Sequence, residues 1–376
     1  MPTRFQKLLA ACTAMDASDL HLVPGQPPLL RRDGQLVAIV EEPPLNAPEL
    51  SGLASELLAK DQRQLLSARG DCDGALTVAG ARFRFNVFKR SDGLCVAFRR
   101  LGERFRTLRE LGLPESLYQL CDLPDGLVLV AGPTGAGKST TLAALIDRIN
   151  CAHARNIITI EDPIEYVHVA GRGLVSQRQV GADCSCFYEA LVAALREDPD
   201  VIFVGEIRDL DTIRTAITAA ETGHLVFTTV HAGDSVGVIE RMVSVFPANE
   251  QDGIRRQLSF VLRAVVTQQL LLCDGPSTSR RTGTSSRRRI VASEVLMVNG
   301  AVANLIATAK SSQIYSAMEV GGAQGMQTLE QDLARLHVAG QISEATALAY
   351  AQNSRTLLDR IHHLRAGARS AAPFSP

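Results

Sequence analysis

The sequence predicts an α/β protein with two domains: a small N-terminal α+β domain and a larger domain built on a parallel sheet. In the first 100 residues, apolar and polar side chains alternate over short segments, whereas after residue 125 continuous apolar runs alternate with helical stretches. Such runs are typical of parallel strands that are buried on both faces and joined by crossover helices. We therefore expect domains at residues 1–100 and 115–365, a linker at 101–114 and a disordered tail at 366–376.

The N-terminal domain is expected to combine helices with antiparallel strands. Residues 82–88 read RFRFNVF, so Phe83, Phe85 and Val87 share one face of a strand, and Arg82 and Arg84 share the other. The patterns predict helices at 5–15 and 47–67, a hairpin at 29–40, and strands at 20–23, 74–78, 81–89 and 94–100.

The larger domain is expected to hold its strands in the apolar runs and to end in helices. One stretch differs from the rest: residues 275–289 are rich in Ser, Thr, Gly and Arg. We interpret it as a solvated loop, with a contact to an anionic partner as the alternative. The apolar runs predict strands at 126–130, 157–160, 201–204 and 225–229, and helical patterns fill 300–362.

Composition and charge disfavour several classes of function. The chain has 376 residues, 39 Lys and Arg against 40 Asp and Glu, and a formal net charge of −1. This balance, with 5% aromatic residues and no Trp, disfavours a protein that coats or pumps nucleic acid. Eight scattered cysteines without a C-x-x-C pair indicate thiols in a reducing compartment and no zinc site. We expect no nucleic-acid partner and no membrane span, hence a cytoplasmic protein.

A glycine-rich motif lies between the predicted strand at 126–130 and a helical stretch. Residues 132–140 read GPTGAGKST, which matches the phosphate-binding pattern G-x-x-x-x-G-K-[ST] in its required strand–loop–helix setting. Backbone N–H groups of such a loop and the following helix N-terminus surround phosphate oxygens. Lys138 would bridge the β- and γ-phosphates of ATP, and Ser139 would ligate Mg²⁺. The candidate nucleotide-binding residues are Gly132, Pro133, Thr134, Gly135, Ala136, Gly137, Lys138, Ser139 and Thr140.

Carboxylates follow two of the predicted strands. Glu161 and Glu165 come after the strand at 157–160, and Glu206 comes after the strand at 201–204. Ligands of open α/β sheets bind beyond the carboxyl ends of the strands, where these groups would project. Glu206 occupies the position of a Walker B acid, and Gly205 replaces the usual Asp before it. We therefore expect Mg²⁺ to be held by Ser139 and, through water, by Glu206.

The base that polarises the attacking water is left open between Glu165 and Glu161, with a surface or capping role as the alternative for any one of them. Two histidines flank the predicted strand at 225–229: His224 precedes it and His231 follows it. Metal ligation is not expected, because no third ligand lies at a suitable spacing. Both are candidates for sensing the γ-phosphate or for coupling to the active site, and a plain structural role is the alternative.

Four motifs follow one another in a fixed order: Walker A at 132–140, an Asp box at 160–165, Walker B at 195–209 and a His box at 219–231. Together they resemble the PilT type of the GspE, PilB and PilT family of secretion ATPases, over residues 17–345. The resemblance implies a PAS-like N-terminal domain followed by a RecA-like P-loop ATPase domain with a helical C-terminal region. It is favoured over the PilB and GspE types because neither a further N-terminal domain nor a four-cysteine zinc motif is present.

The resemblance also implies function and partners. It implies a homohexameric motor that hydrolyses ATP with Mg²⁺ and powers the retraction of type IV pili in twitching motility. An inner-membrane pilus platform protein and other pilus motor ATPases are the implied partners, so the protein would lie at the cytoplasmic face of the inner membrane. Arg84 and Arg99 match arginines that reach the nucleotide in this family, and a solvated strand face is the alternative for both.

One departure from the family pattern leaves other functions open. The family carries a C-terminal A-I-R-N-L-I-R-E box, whereas residues 301–308 read AVANLIAT, without either Arg or the Glu. The alternatives are a divergent accessory or assembly motor of a type IV pilus or a type II secretion-like system, and a weakly hydrolysing ATP-dependent scaffold.

Overall fold

The chain folds into two units, each built around its own sheet. The computed structural model describes residues 3–32, 34–102, 104–273 and 289–370, with side chains up to residue 366. In this part of the chain, the first unit comprises the residues up to Arg104 together with Pro163–Val167, and the second unit comprises the others. None of the described helices is both long and apolar enough to cross a bilayer.

The first unit contains a six-stranded antiparallel sheet packed against helices. The strands are β1 (Asp19–Leu22), β2 (Leu29–Arg32), β3 (Gln35–Ala38), β4 (Asp71–Val78), β5 (Ala81–Arg90) and β6 (Gly93–Arg100), and the helices are α1 (Arg4–Ala14), α2 (Ala47–Leu57) and α3 (Lys60–Arg69). The sheet order is β3-β2-β1-β6-β5-β4. Phe83, Phe85 and Val87 are buried and Arg84 is exposed, as the alternation in β5 predicts.

The prediction of a single helix at 47–67 is wrong, because two helices occupy this stretch. Leu58 ends α2 in an extended conformation with its side chain buried, and Ala59 begins the turn into α3. Gln62 stabilises this start by accepting a hydrogen bond from the backbone N–H of Ala59 at 3.0 Å. Neither Gly nor Pro marks the break, so the apolar periodicity runs through it without a visible signal.

The second unit contains a seven-stranded sheet in the order β13-β12-β7-β11-β10-β8-β9. Its strands are β7 (Gly126–Ala131), β8 (Asn156–Glu161), β9 (Leu174–Gln179), β10 (Val201–Val204), β11 (Leu225–Val230), β12 (Leu262–Leu272) and β13 (Arg289–Met297). All neighbours run parallel except β12 and β13, which pair antiparallel. The four predicted strands are confirmed, whereas β9, β12 and β13 were not predicted.

Helices cover both faces of this sheet. Leu127 and Leu129 of β7 pack into one apolar core and Val128 and Val130 pack into another, so the strand is buried on both faces. The helices are α4 (Leu108–Leu111), α5 (Lys138–Ala152), α6 (Phe187–Ala194), α7 (Leu210–Glu221), α8 (Ser235–Ser244), α9 (Gln251–Val261), α10 (Gly300–Ala307), α11 (Ile314–Val320), α12 (Leu329–Val338), α13 (Glu344–Tyr350) and α14 (Ser354–Ser370).

Two stretches differ from the expected linker and tail. The expected linker at 101–114 carries α4, whose Leu108 is fully buried in the second unit. The last helix continues to Ser370, into the segment expected to be disordered from residue 366. Of the Arg-rich stretch at 275–289, only Arg289 is among the described residues, where it begins β13. The other arginines of that expected loop, Arg280, Arg281, Arg287 and Arg288, lie outside them.

Candidate nucleotide-binding site

The glycine-rich motif forms the loop between β7 and α5. Gly132, Gly135 and Gly137 have φ angles of 144°, 79° and 93°, in a region that residues with a Cβ rarely adopt. The loop begins directly after Ala131, the last residue of β7, and α5 begins at Lys138. Pro133, Thr134 and Gly135 are exposed at its tip, and Ala136 is buried. The motif thus has the strand–loop–helix geometry that phosphate binding requires.

Lys138 is folded back over this loop. Its side chain is largely buried, and Nζ donates hydrogen bonds to the carbonyl oxygens of Gly132 at 2.9 Å and Pro133 at 3.0 Å. The ammonium group is therefore already positioned against the loop whose amides would surround a phosphate. Ser139 and Thr140 follow in the first turn of α5 and are half-buried, which leaves their hydroxyl groups at the helix N-terminus.

Glu161 and Glu206 follow neighbouring parallel strands. Ile160 of β8 pairs with Val204 of β10, and the N–H of Gly205 donates to the carbonyl oxygen of Ile160 at 2.7 Å. Both carboxylates therefore leave the sheet at the edge where β7 enters the phosphate loop, because all these strands are parallel. The structure thus brings together the loop and two of the predicted acids.

The two carboxylates differ in their partners. Glu161 is buried, and its Oε1 accepts hydrogen bonds from Thr159 Oγ1 at 2.7 Å and Gln177 Nε2 at 3.0 Å. Glu206 is more exposed and forms an ion pair with Arg208 at 2.6 Å. Neutral donors thus orient Glu161, whereas an exposed arginine pairs with Glu206.

His231 lies beside Glu206 at the same edge. Its Nε2 is 3.8 Å from Glu206 Oε2. Burial, followed by the charge of Lys138, lowers the pKa of His231; Glu206 opposes this change, and Arg208 and Arg241 add to it. His231 is therefore neutral at pH 7 and can both donate and accept a hydrogen bond.

The structure does not bring His224 to this edge. His224 precedes β11, and its carbonyl oxygen accepts a hydrogen bond from Gly126 at the start of β7, at 3.0 Å. The strand separates the two histidines by about 20 Å, at about 3.3 Å per residue. Nδ1 of His224 lies 2.9 Å from the carbonyl oxygen of Ala219 and 3.2 Å from Thr222 Oγ1. These contacts agree with the structural alternative rather than with a γ-phosphate sensor within the chain.

Glu165 and the two arginines belong to the first unit. Arg84 of β5 and Arg99 of β6 are direct cross-strand partners, an arrangement that is unfavourable for two like charges. Arg84 pairs only loosely with Asp73, at 3.5 Å. Arg99 is 71% exposed at its side chain, and its Nε donates to Asp19 Oδ1 at 2.9 Å. The two guanidinium groups thus form an exposed cationic pair.

Sequence reasoning did not find three side chains that support these groups: Asp19, Gln177 and Arg208. Asp19 is buried on a short strand, where an unpaired carboxylate would be costly, and this is a detectable signal for a cationic partner. Arg208 follows Glu206 by two residues directly after a strand. Gln177 lies on β9, which was not predicted, so no sequence signal pointed to it.

A parallel sheet with a phosphate loop, its lysine and two carboxylates at the same edge defines a P-loop ATPase. The chain belongs to the Type II/IV secretion system protein family, which matches residues 3–347. The family match, together with the relatives and the solved structure described next, confirms the resemblance to PilT-type ATPases, the predicted fold class and the assignment as an ATP-hydrolysing enzyme.

Two curated relatives and one solved structure are similar over most of the chain. The type IV pilus retraction ATPase PilT of Pseudomonas aeruginosa is 44% identical over 342 residues, which are 91% of this chain and 96% of that protein. A twitching motility protein of Neisseria gonorrhoeae is 41% identical over 88% of this chain and 86% of its own length. The crystal structure of the pilus retraction motor PilT with bound ADP has a TM-score of 0.86 and 41% identity, and covers 95% of this chain and 100% of that one.

Proposed function

We propose that this ATPase is a homohexameric motor that powers the retraction of type IV pili. One observation carries the proposal: an intact phosphate loop, with its lysine positioned, lies in a chain that is similar to a pilus retraction ATPase over 91% of its length. The proposed partners are an inner-membrane pilus platform protein and other pilus motor ATPases. The motor would work at the cytoplasmic face of the inner membrane.

The residues of the second unit have separate roles in this proposal. The backbone amides of residues 132–140 bind the phosphates of ATP, and Lys138 places its charge between the β- and γ-phosphates. Ser139 and, through water, Glu206 would hold Mg²⁺, and their oxygen atoms suit this cation. When bound, Mg²⁺ neutralises charge on the transferred phosphoryl group. Neutral His231 would donate a hydrogen bond to the γ-phosphate.

The general base is proposed to be Glu161, because it lies at the edge of the sheet that carries the phosphate loop. Its Oε1 is held by Thr159 and Gln177, which keeps the carboxylate oriented. Glu165, which belongs to the first unit, remains a second candidate for the general base. Arg84 and Arg99 are proposed to act as arginine fingers that stabilise charge on the nucleotide. Their like-charged pairing supports a role with an anion, and Asp19 fixes Nε of Arg99 and leaves its terminal nitrogens for a ligand.

A divergent accessory motor is the second candidate function, and helix α10 is the observation that favours it. Val302 and Ile306 are buried against the core, and Asn304 is exposed. Ala303 and Ala307 stand where the family carries its two arginines, so α10 has no charged side chain with which to contact a partner.

Deletion of the gene tests the proposal. Loss of a retraction motor should leave cells with excess surface pili and no twitching, because assembly continues without disassembly. Complementation with the wild-type chain should restore twitching, and complementation with Lys138→Ala should not. Cells without pili would indicate an assembly motor, and unchanged piliation and twitching would indicate an accessory motor or another system. A steady-state phosphate-release assay tests the alternative of a weakly hydrolysing scaffold, because robust ATP turnover would exclude it.

A further inference from the structure

Gln268 is a fully buried amide side chain that the site described above does not include. It lies on β12, which runs parallel to β7, and its neighbour Thr267 pairs with Ala131 at the end of β7. Its side chain therefore emerges beside the phosphate loop. A buried amide needs partners for both its donor and its acceptor, and the identity of these partners shows what the residue does.

Both partners of Gln268 belong to the phosphate-binding segment. Nε2 donates to the carbonyl oxygen of Ala136 at 2.7 Å, and Oε1 accepts from Thr141 Oγ1 of α5 at 2.9 Å. Because one group must donate and the other accept, these contacts fix the orientation of the amide. Gln268 thus connects the end of the loop to the first turns of the helix.

The main chain at Gln268 also determines the shape of the loop. A Cβ added at Gly132 would lie 2.3 Å from the carbonyl oxygen of Gln268. Only glycine allows β12 and the loop to approach this closely, at the positive φ that Gly132 adopts. The first glycine of the motif and the peptide after Ala136 are therefore both held against the same residue.

We propose that Gln268 is a positioning residue for nucleotide binding. In a trans peptide, the carbonyl group and the following N–H point in opposite directions. By holding the carbonyl oxygen of Ala136, Gln268 keeps the N–H of Gly137 directed away from β12 and available to a phosphate oxygen of the nucleotide. This inference rests on ATP binding by the loop and adds the residue that maintains its shape.

The test compares Gln268→Met with Gln269→Met, a matched control on the same strand. Methionine has a similar length but cannot donate to Ala136. We expect the Kd for ADP to rise about tenfold in Gln268→Met, as for the loss of one buried hydrogen bond, and to stay within twofold in Gln269→Met. The KM for ATP should rise more than kcat falls, because the loop contacts substrate and transition state alike. The unfolding temperature without nucleotide shows that each variant is folded.

Two further variants separate positioning from general packing. Thr141→Val removes the hydrogen bond to Gln268 Oε1 and a longer one, at 3.3 Å, from Thr141 Oγ1 to the carbonyl oxygen of Gly137. Its ADP affinity should stay within about threefold of the wild type, because the bond from Gln268 to Ala136 remains. Gln268→Glu retains an acceptor for Thr141 but loses the N–H that donates to Ala136, so it should weaken ADP binding at least as much as Gln268→Met. This second variant tests the inference if Gln268→Met does not fold. Wild-type ADP affinity in folded Gln268→Met or Gln268→Glu, or an equal loss in Gln269→Met, would overturn the inference. A wild-type chain that binds no ADP would instead contradict the proposed function.

Discussion

The charged side chains around the phosphate loop occupy distinct environments. Lys138 is surrounded by carbonyl oxygens of its own loop, whereas Glu206 is paired with the exposed Arg208. A phosphate entering the loop would replace weak acceptors of Lys138 with charged ones, because charge-assisted hydrogen bonds are stronger. Glu206 would exchange one cation for another. These environments predict that the two residues fail in different ways when substituted.

Lys138→Ala should abolish nucleotide binding, and Glu206→Ala should leave binding intact and remove turnover. Loss of the buried ammonium group removes charge-assisted hydrogen bonds to phosphate, so ADP affinity should fall at least roughly 100-fold. Loss of Glu206 would remove its support of Mg²⁺, which neutralises charge on the transferred phosphoryl group, so kcat should fall roughly 10²–10⁴-fold. Titration with ADP and a phosphate-release assay measure the two quantities. Glu115→Ala, which removes an exposed carboxylate outside the four motifs, is the control for both.

Two results would contradict this assignment. Turnover equal to that of the wild type in Glu206→Ala would exclude Glu206 from the reaction. Tight ADP binding by Lys138→Ala would mean that the loop amides alone hold the phosphates, and Lys138 would then have no role in binding.

Sequence reasoning located the phosphate loop, Glu161, Glu206 and His231 because all of them follow the carboxyl ends of predicted strands. His224 was left open between a functional and a structural role, and because it precedes β11 it lies at the end of that strand opposite to His231. For Glu165, four residues after Glu161, the chain has already passed into the first unit. Such placement depends on long-range packing, which local spacing does not record.

At the level of elements, the missed strands share a physical reason. Strand β9 reads LVSQRQ and is only partly buried at the edge of the sheet, so its polar composition is typical of a loop. Strands β12 and β13 are long and apolar, with polar residues at their centres that suit neither a strand nor a helix pattern clearly. These central polar residues, Gln268 and Glu294, are explained only by their tertiary partners. The sequence thus predicts the four central strands of this sheet, whereas it does not predict β13 and β12 on one side or β9 on the other.

Glu294 links β13 to the segment that follows His231. Its side chain is 2% exposed, and Oε1 accepts a hydrogen bond from the N–H of Ser235 at 2.7 Å, at the start of α8. Burial raises the pKa of Glu294 above the ordinary carboxyl value; the contacts with Ser235 oppose this, and the charges of Asp234 and Glu330 add to it. This carboxyl group therefore favours its neutral form in the folded chain more than in the unfolded one.

Glu294→Gln should change how stability depends on pH. A carboxyl group whose folded pKa is raised contributes stability below its ordinary pKa and loses it as pH rises through the folded pKa. Glutamine cannot ionise and still offers Oε1 to Ser235, so the variant should gain in unfolding temperature relative to the wild type as pH rises from 4 to 8. Thermal unfolding across this range measures the difference. Glu115→Gln, which removes an exposed carboxylate, should show no such trend, and a pH-independent difference for Glu294→Gln would refute the prediction.

At the scale of the whole molecule, the two units place complementary groups on one chain. The second unit carries the phosphate loop and its carboxylates, and the first unit carries the exposed pair Arg84 and Arg99. Each of these arginines has a carboxylate partner in its own unit, Asp73 for Arg84 and Asp19 for Arg99, and an anion bound beside both guanidinium groups would add a favourable interaction. In the proposed motor, Arg84 and Arg99 would act on a nucleotide bound by the phosphate loop, and the closed ring that the family resemblance implies is the assembly in which this would occur.

Ring assembly should therefore be measurable in solution and linked to turnover. Light scattering of the purified chain with ADP should give six times the mass of one chain, and dilution should lower the ATPase rate per chain, because dissociated chains lack a complete site. Arg84→Ala combined with Arg99→Ala should retain ADP binding by the phosphate loop but reduce kcat by roughly 10³-fold, the scale of an arginine finger. Arg90→Ala, which removes an exposed arginine at the end of the same strand, is the matched control. A chain that stays monomeric with nucleotide and hydrolyses ATP at a rate independent of its concentration would exclude the ring.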